Sequence, residues 1–373
     1  MKKCELLQQK AKEEGLPPYM YQPYHEPLMP TSAWEVLPSH YEEHVKEKNA
    51  KVCALMREMS ECEAFVFFAD AHVRQNSMAS VPIIRSILEN TEVKKVIYGG
   101  DTVSAWVDEQ LIEEDLAYFA NAYSFAEPYM VRGNHDAEGK MFEYTDEGFC
   151  KSNDEVYRLI FAEQKDRVIG EEGKTYYYFD IPEHRLRYII LDTNELLTPY
   201  VDEHGVWQCA VDISKTQVEW FAQQLSAIPV GYQVIVIGHT PIYPQLKWHF
   251  PKSVVFSQLI EAYHNREKYR LHSEENGFSV DVDFSNAKGG HVILNLCGHG
   301  HVDDLFLSPT GCAACEIHTD SVRNNNGGSP DPRVEGTVSD SLLDVILIDR
   351  TNGRIQSVRY GGGKDRIIRE ATE

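Results

Sequence analysis

The chain contains 373 residues, of which 36 are basic and 58 are acidic, giving a formal net charge of -22. A chain of this length buries a sizeable core, and its 42% hydrophobic and 11% aromatic content excludes disordered, collagen-like and disulfide-scaffold proteins. The negative charge disfavours nonspecific binding to nucleic acids and to anionic membranes. No apolar run approaches the roughly 20 residues of a membrane span, and the N-terminus lacks an apolar stretch of signal-peptide length. We therefore expect a cytoplasmic protein without a membrane partner.

The eight cysteines are scattered along the chain, and we expect most of them to be reduced thiols. Only Cys312 and Cys315 form a Cys-x-x-Cys pair. Because a single pair lacks the second half of a zinc site, the sequence favours two small buried residues at these positions.

The start of the chain, residues 1–33, is rich in proline and tyrosine and is interpreted as an N-terminal arm. Apolar residues then recur at helical spacing between Val45 and Met59, which predicts an amphipathic helix that leads into the first strand. The layout of the motifs described below argues for one large domain over residues 34–360, followed by a C-terminal tail at residues 361–373.

Six short apolar runs predict buried β-strands, and helical patterns lie between them. Strands that alternate with helices indicate a layered α/β fold. Residues 341–360 predict a closing hairpin around the turn Thr351-Asn352-Gly353, and residues 324–330 predict a long loop. The predicted strands cover residues 64–69, 93–98, 129–131, 188–191, 234–237 and 292–294, and the predicted helices cover residues 82–88, 111–120 and 218–225.

Five polar motifs follow directly after predicted strands. The carboxyl ends of strands are where open α/β sheets collect their ligands, so we expect these motifs to meet at one edge. In chain order the motifs are Asp70-Ala71-His72, Gly99-Gly100-Asp101, Gly133-Asn134-His135-Asp136, Gly238-His239-Thr240 and Gly298-His299-Gly300-His301.

The residue types in these motifs indicate a hydrolytic metal site. Aspartate oxygen, amide oxygen and imidazole nitrogen suit manganese, iron, zinc or cobalt, and the absence of thiolate argues against a closed structural zinc site. Glycines before the ligands are expected to let the backbone turn sharply. One such motif alone is more often a turn or a hydrogen-bonded histidine, but five in order at successive strand ends are hard to explain separately.

The ordered motif set resembles that of the calcineurin-like metallophosphoesterase superfamily, and the likeness spans Asp70 to His301. The resemblance implies an α/β fold, specifically a two-sheet αββα sandwich with a cap insertion. It also implies two transition-metal ions and a metal-bridging hydroxide that attacks phosphorus, while His135, which is not a ligand, stabilises or protonates the leaving oxygen. By this resemblance Asp70, His72 and His301 bind one metal, Asn134, His239 and His299 bind the other, and Asp101 bridges the two.

Two branches of this superfamily fit the sequence poorly. In the Ser/Thr protein phosphatases the second motif continues with an aspartate and an arginine, whereas Asp101 is followed by Thr102-Val103-Ser104-Ala105. The purple acid phosphatases place a tyrosine ligand three residues after the aspartate, where this chain has Ser104.

Residues 242–290, which include a helical pattern from Val254 to Tyr269, are expected to form the cap insertion, because insertions at strand ends tend to face the substrate. Tyr243 and Trp248 within it are candidate substrate-binding residues, whereas Phe250 is expected to pack within the cap. Arg132 is expected either to contact phosphate or to pair with a carboxylate. Asp192 is expected to make structural hydrogen bonds.

The function expected from these features is hydrolysis of a small phosphorylated molecule. A phosphodiester of a small molecule or nucleotide is favoured because a monoester dianion requires more positive charge than Arg132 alone supplies. A phosphomonoesterase is the alternative, and an inactive interaction scaffold is a further one, although scaffolds typically lose ligands that are all present here. The oligomeric state and the identity of the metals stay open.

Overall fold

The computed structural model describes residue 13 and residues 27–104, 107, 109–139, 149–203, 207–273, 277–321 and 333–370. The helix predicted from Val45 to Met59 is present at Glu42–Glu58, and the three other predicted helices each lie within a longer one. The helices are α1 (Glu42–Glu58), α2 (Ser80–Asn90), α3 (Glu109–Ala122), α4 (Asn153–Val156), α5 (Lys215–Ser226) and α6 (Val254–Asn265).

Two six-stranded sheets form the centre of the fold, and each of the six predicted strands overlaps a strand of one of them. The first sheet has the order β18-β17-β16-β1-β2-β3, and the second has the order β14-β15-β13-β10-β7-β6. The strands are β1 (Cys62–Phe68), β2 (Lys95–Tyr98), β3 (Tyr129–Met130), β4 (Glu138–Gly139), β5 (Phe149–Cys150), β6 (Tyr177–Ile181), β7 (Leu186–Ile190), β8 (Leu196–Val201), β9 (Trp207–Asp212), β10 (Gln233–Ile237), β11 (Lys268–Ser273), β12 (Phe278–Asp283), β13 (Val292–Cys297), β14 (Asp304–Leu307), β15 (Ala313–Glu316), β16 (Leu342–Asp349), β17 (Arg354–Gly361) and β18 (Arg366–Arg369).

Three apolar clusters show how these elements are layered. Phe65 of β1 and Tyr188 of β7 meet edge to face in the cluster that lies between the two sheets. A second cluster joins the opposite face of the first sheet to α1 and α2, and a third joins the second sheet to α5 and α6. Because side chains alternate between the faces of a strand, each sheet buries both of its faces. The result is the αββα sandwich that the sequence predicts.

Parallel pairing brings the five motifs to one edge. In the first sheet β1, β2 and β3 run parallel, and in the second sheet β7, β10, β13 and β15 run parallel. All of the motifs follow the carboxyl ends of strands in these two sets, so the loops of both sheets converge there. The predicted closing hairpin is present as antiparallel β16 and β17, and β16 also pairs with β1.

Several elements differ from the sequence-based expectation. The helical pattern expected between Val254 and Tyr269 ends at Asn265, because Arg266 adopts a left-handed conformation and β11 begins at Lys268. Part of the expected C-terminal tail is the edge strand β18, which pairs with β17. The loop predicted at residues 324–330 lies outside the described residues.

The CxxC pair and the end of the N-terminal arm have clear positions. Cys312 and Cys315 are both buried free thiols, as the sequence favours. Most of residues 1–33 lies outside the described part of the chain, but Leu28 and Met29 pack against the second cluster. No helix within the described ranges is long and apolar enough to cross a membrane.

Candidate dinuclear metal site

Six of the predicted ligands converge in two groups of three. In each group the potential ligand atoms all lie within 4.8 Å of one another. The two groups adjoin, since the Nε2 atom of His239 is 3.2 Å from Asp101 Oδ2 and 3.9 Å from Asp70 Oδ1. One group is Asp70, His72 and His301, and the other is Asp101, His239 and His299.

The ligand loops are conformationally strained. A left-handed backbone is rare for residues other than glycine and costs roughly 1–3 kcal/mol each. The sequence suggested that glycines before the ligands would let the backbone turn sharply, and Gly100 adopts the left-handed conformation with φ 96°. The ligands themselves also adopt it, namely Asp70 (57°), His72 (40°), Asp101 (61°), His299 (79°) and His301 (52°).

Two of the other glycines are required by close approach rather than by φ. A Cβ atom on Gly133 would lie 2.0 Å from Asp101 Oδ1, and one on Gly298 would lie 2.5 Å from Asp70 Oδ2. Both glycines therefore allow a carboxylate from another loop to sit directly against the backbone.

Backbone carbonyls orient two of the histidines. The ring Nδ1 of His72 lies 2.8 Å from the carbonyl oxygen of Val103, and that of His239 lies 2.9 Å from the carbonyl oxygen of Gly99. A carbonyl only accepts hydrogen bonds, so Nδ1 carries a proton in both rings, which leaves Nε2 of each neutral ring as the metal-binding atom. Such outer contacts fix the tautomer of metal-binding histidines.

The electrostatics of the site also suit cations. Burial lowers the pKa of His72 and of His299 to about 3 each, so both imidazoles are neutral at pH 7, as metal binding requires. Burial acts in the same direction on His239, but the Asp101 carboxylate outweighs it and raises the pKa to about 10. Burial raises the pKa of Asp101, yet the neighbouring histidines hold it well below its ordinary value. The space beside Asp101 thus favours positive charge.

Three buried atoms without hydrogen-bond partners indicate that metal ions fit the residues of this site. Asp101 Oδ2, His239 Nε2 and Asn134 Oδ1 have no hydrogen-bond partner among the described residues. A buried polar atom without a partner costs roughly 1–3 kcal/mol. All three are metal donors, so two bound cations would satisfy them.

Asp136, the last residue of the third motif, fixes the second and third loops to each other. Its carboxylate accepts hydrogen bonds from the backbone N–H groups of Asp101, Thr102 and Gly133. Burial raises the pKa of Asp136 to about 6. This bracing role was not predicted from the sequence, and an aspartate following Asn-His is its only sequence signal.

The sequence profile of one family decides the family assignment. The profile of the calcineurin-like phosphoesterases matches residues 64–303, which contain all five motifs. The chain belongs to the calcineurin-like phosphoesterase family. It is therefore a phosphoester hydrolase, and its two groups of donors correspond to a centre for two metal ions.

A comparison with solved structures finds one that shares the fold of this phosphoesterase and others of lower similarity. A dimetal phosphatase from Danio rerio superposes with a TM-score of 0.52 at 13% identity, covering 83% of this chain and 99% of the other. A 5'-nucleotidase from Candida albicans gives a TM-score of 0.36 at 15% identity, covering 69% of this chain and 46% of the other. No curated protein gives a significant sequence match.

Arg132 and Tyr243, two of the three expected substrate-binding residues, lie inside the phosphoesterase. Arg132 is buried, and its Nη1 donates to Asp192 Oδ2 at 3.2 Å, which is the carboxylate pairing among the two expected alternatives. Tyr243 is buried in the third cluster with its hydroxyl 3.3 Å from Glu261 Oε1. Both side chains therefore have carboxylate partners inside the protein. Asp192 makes the structural hydrogen bonds expected of it.

Two aromatic residues of the expected cap reach the site. Trp248 is 66% exposed. A Cβ atom added to Gly300 would lie 2.5 Å from Cδ1 of its indole ring, so the ring packs directly against Gly300. Gly300 separates His299 from His301, so the indole lies over the loop that carries both histidines. The ring of Phe250 lies 5.2 Å from that of His299, although the sequence favoured packing within the cap. Other described residues of the segment, including Phe256 and Leu259 of α6, belong to the third cluster.

Proposed function

We propose that this chain hydrolyses phosphodiester bonds of a small molecule, such as a nucleotide, at a two-metal centre. The observation that carries this proposal is the meeting of the ligands from both sheets around the unpartnered Oδ2 atom of Asp101. In this proposal Asp70, His72 and His301 would hold one metal ion, Asn134, His239 and His299 would hold the other, and Asp101 would be shared by both.

Metal ions, when bound there, supply Lewis-acid polarisation of phosphoryl oxygens and an activated water as the nucleophile. They also allow an acidic chain to bind an anion, because bound cations are the largest local charges. The carboxylates and neutral imidazoles of the chain hold those charges in place. Manganese, iron, zinc and cobalt all suit this donor set.

His135 is the proposed general acid. Its Nε2 lies 3.7 Å from Asp101 Oδ2, so the ring faces the bridging position, and its side chain is 17% exposed. A proton donated from Nε2 would neutralise the oxygen of the departing alcohol. General-acid catalysis of this kind contributes about 100- to 10,000-fold to a rate.

The preference for diesters is supported by the position of Arg132. This guanidinium is buried and donates through Nη1 to Asp192, so part of its positive charge is already neutralised within the protein. A diester monoanion needs fewer cations around its oxygens than a monoester dianion. The exposed indole of Trp248 beside His299 and His301 supports a substrate with a flat ring, because aromatic stacking adds binding energy.

Turnover of mono- and bis(4-nitrophenyl) phosphate, measured side by side with manganese and extended to a nucleotide panel, tests this proposal. We expect faster hydrolysis of the diester. A strong preference for the monoester would favour the phosphomonoesterase alternative. Tightly bound metal without turnover on any phosphoester would favour an interaction scaffold instead.

A further inference from the structure

Glu138 lies behind the proposed general acid and belongs to none of the sequence motifs. It follows His135 by three residues and forms β4 with Gly139, directly opposite β5. The side chain is only 2% exposed. A Cβ atom on Gly139 would lie 2.2 Å from the ring of Phe149, so the two strands hold Glu138 closely in place.

The carboxylate of Glu138 contacts two residues of the site through one oxygen. Its Oε1 is 2.6 Å from Nδ1 of His135 and 2.9 Å from Nδ2 of Asn134. A carboxylate accepts hydrogen bonds, so the imidazole and the amide both donate to it. Hydrogen bonds to a charged acceptor in a buried position are the strong ones.

The contact with the ring determines which nitrogen of His135 faces the substrate. Because Nδ1 donates to Glu138, the exchangeable site for catalysis is Nε2, the atom that faces Asp101 at 3.7 Å. Rotation of the ring by half a turn would break the 2.6 Å hydrogen bond. Glu138 therefore holds both the tautomer and the orientation that a general acid requires.

The contact with the amide determines which atom of Asn134 faces the metals. With Nδ2 donating to Glu138, the Oδ1 atom is directed elsewhere and has no hydrogen-bond partner among the described residues. An amide flip would place Oδ1 against the carboxylate and turn Nδ2, which cannot bind a metal, towards the centre.

We propose that Glu138 is a positioning residue that aligns His135 for proton donation and Asn134 for metal binding. This inference rests on the proposed function. Its contribution to the rate passes through His135, because a carboxylate buried behind the ring does not touch the reacting atoms. Loss of Glu138 therefore affects mainly those substrates whose leaving group needs a proton.

A pair of phosphodiesters with 4-nitrophenolate or unsubstituted phenolate as leaving group tests this proposal. Glu138→Gln should lower kcat on the phenolate ester by about 10- to 100-fold, the usual cost of losing an outer-sphere partner. It should lower kcat on the nitrophenolate ester by less than about 3-fold, since that group departs without a proton. Glu113→Gln, on the exposed face of α3, is the matched control and should match the wild type on both esters.

A double variant separates positioning from general damage. If Glu138 acts through His135, then adding Glu138→Gln to His135→Gln should change kcat by less than about 3-fold beyond His135→Gln alone. Glutamine at position 138 keeps an oxygen that can accept from Nδ2 of Asn134, so the metal content of Glu138→Gln should stay near that of the wild type. In the metal-free protein, the ring proton on Nδ1 of His135 should move upfield in the NMR spectrum of Glu138→Gln.

The proposal would be overturned by equal losses on both leaving groups, by losses that multiply in the double variant, or by an unchanged Nδ1 resonance. Loss of metal from Glu138→Gln would overturn it as well, since the fall in kcat would then come from the metal centre and not through His135. A wild type without metal-dependent turnover on either ester would overturn the proposed function, and this inference with it. An active wild type with multiplying losses would overturn this inference alone.

Discussion

The Nε2 atoms of His72 and His301 face each other at 3.3 Å in the buried site. The proton of His72 is on Nδ1, which lies 2.8 Å from the carbonyl oxygen of Val103, so its Nε2 offers a lone pair. The nearby Asp70 Oδ1, 3.4 Å from His301 Nε2, adds negative charge. A cation bound beside these atoms would be held by a lone pair of His72 and by the carboxylate of Asp70.

Removal of metal should therefore destabilise the fold without unfolding it. A ligand at about 100 times its dissociation constant stabilises a protein by roughly 2.7 kcal/mol, so chelation should lower the Tm by several degrees. Far-ultraviolet circular dichroism during heating, with and without manganese, measures this shift. The shift should be smaller in His301→Ala, and a shift of unchanged size in that variant would argue against His301 as a ligand.

Arg132→Met should damage stability and not substrate binding. Asp192 would be left as a buried charge without its partner, which typically costs about 3–5 kcal/mol of the free energy of unfolding. Urea unfolding and the KM for a diester measure the two effects. Arg132→Met/Asp192→Asn should recover part of the loss. A raised KM at unchanged stability would instead place Arg132 at the phosphate.

Trp248→Ala should affect substrate binding and leave the stability nearly unchanged, because the indole is 66% exposed. Stacking on a base contributes roughly 1–3 kcal/mol, so the KM for a nucleotide diester should rise by about 5-fold or more. The KM for a diester without a ring should change little. Tyr200→Ala, an exposed aromatic residue on β8, is the control, and equal effects of both variants would rule out a specific contact.

His264 should make the stability depend on pH. Its Nδ1 lies 2.7 Å from Thr310 Oγ1, and its Nε2 accepts the N–H of Val292 at 2.9 Å, so the ring is neutral. Burial lowers its pKa to about 3 from an ordinary 6.5. A lowered folded-state pKa contributes stability that is complete above pH 6.5 and is lost as the pH falls towards 3.

This loss should approach about 1.4 kcal/mol per pH unit between those limits. The free energy of unfolding of the wild type should therefore fall more steeply than that of His264→Gln between pH 6.5 and pH 4. Urea unfolding at several pH values measures the two slopes, and parallel slopes would contradict the assignment.

The sequence predicts the strand ends and the ligands well because both depend on local patterns. Apolar runs such as that ending at Ala69 specify buried strands, and parallel pairing then brings their following residues together. The hairpin of β8 and β9 was not predicted, since residues such as Tyr200 and Val201 are exposed and show no buried run.

The roles of residues around the ligands depend on contacts between distant segments, which no local pattern encodes. Arg132 precedes a ligand motif, yet the direction of its side chain is set by Asp192, which is 60 residues away. Tyr243 lies in the expected cap, but the packing of α6 buries it. The contact between Glu138 and the ring of His135 depends on the path of the chain between them, which the sequence pattern does not specify.

Metal content and turnover, measured together on Asp101→Asn and His135→Gln, test the central claim most directly. Asp101→Asn removes the charge shared by both metals, so metal occupancy and activity should fall together. His135→Gln should keep about two metals per chain while turnover falls roughly 100- to 10,000-fold, less for leaving groups of low pKa. Loss of a metal from His135→Gln, or full activity of Asp101→Asn, would contradict a centre bridged by Asp101 and served by His135.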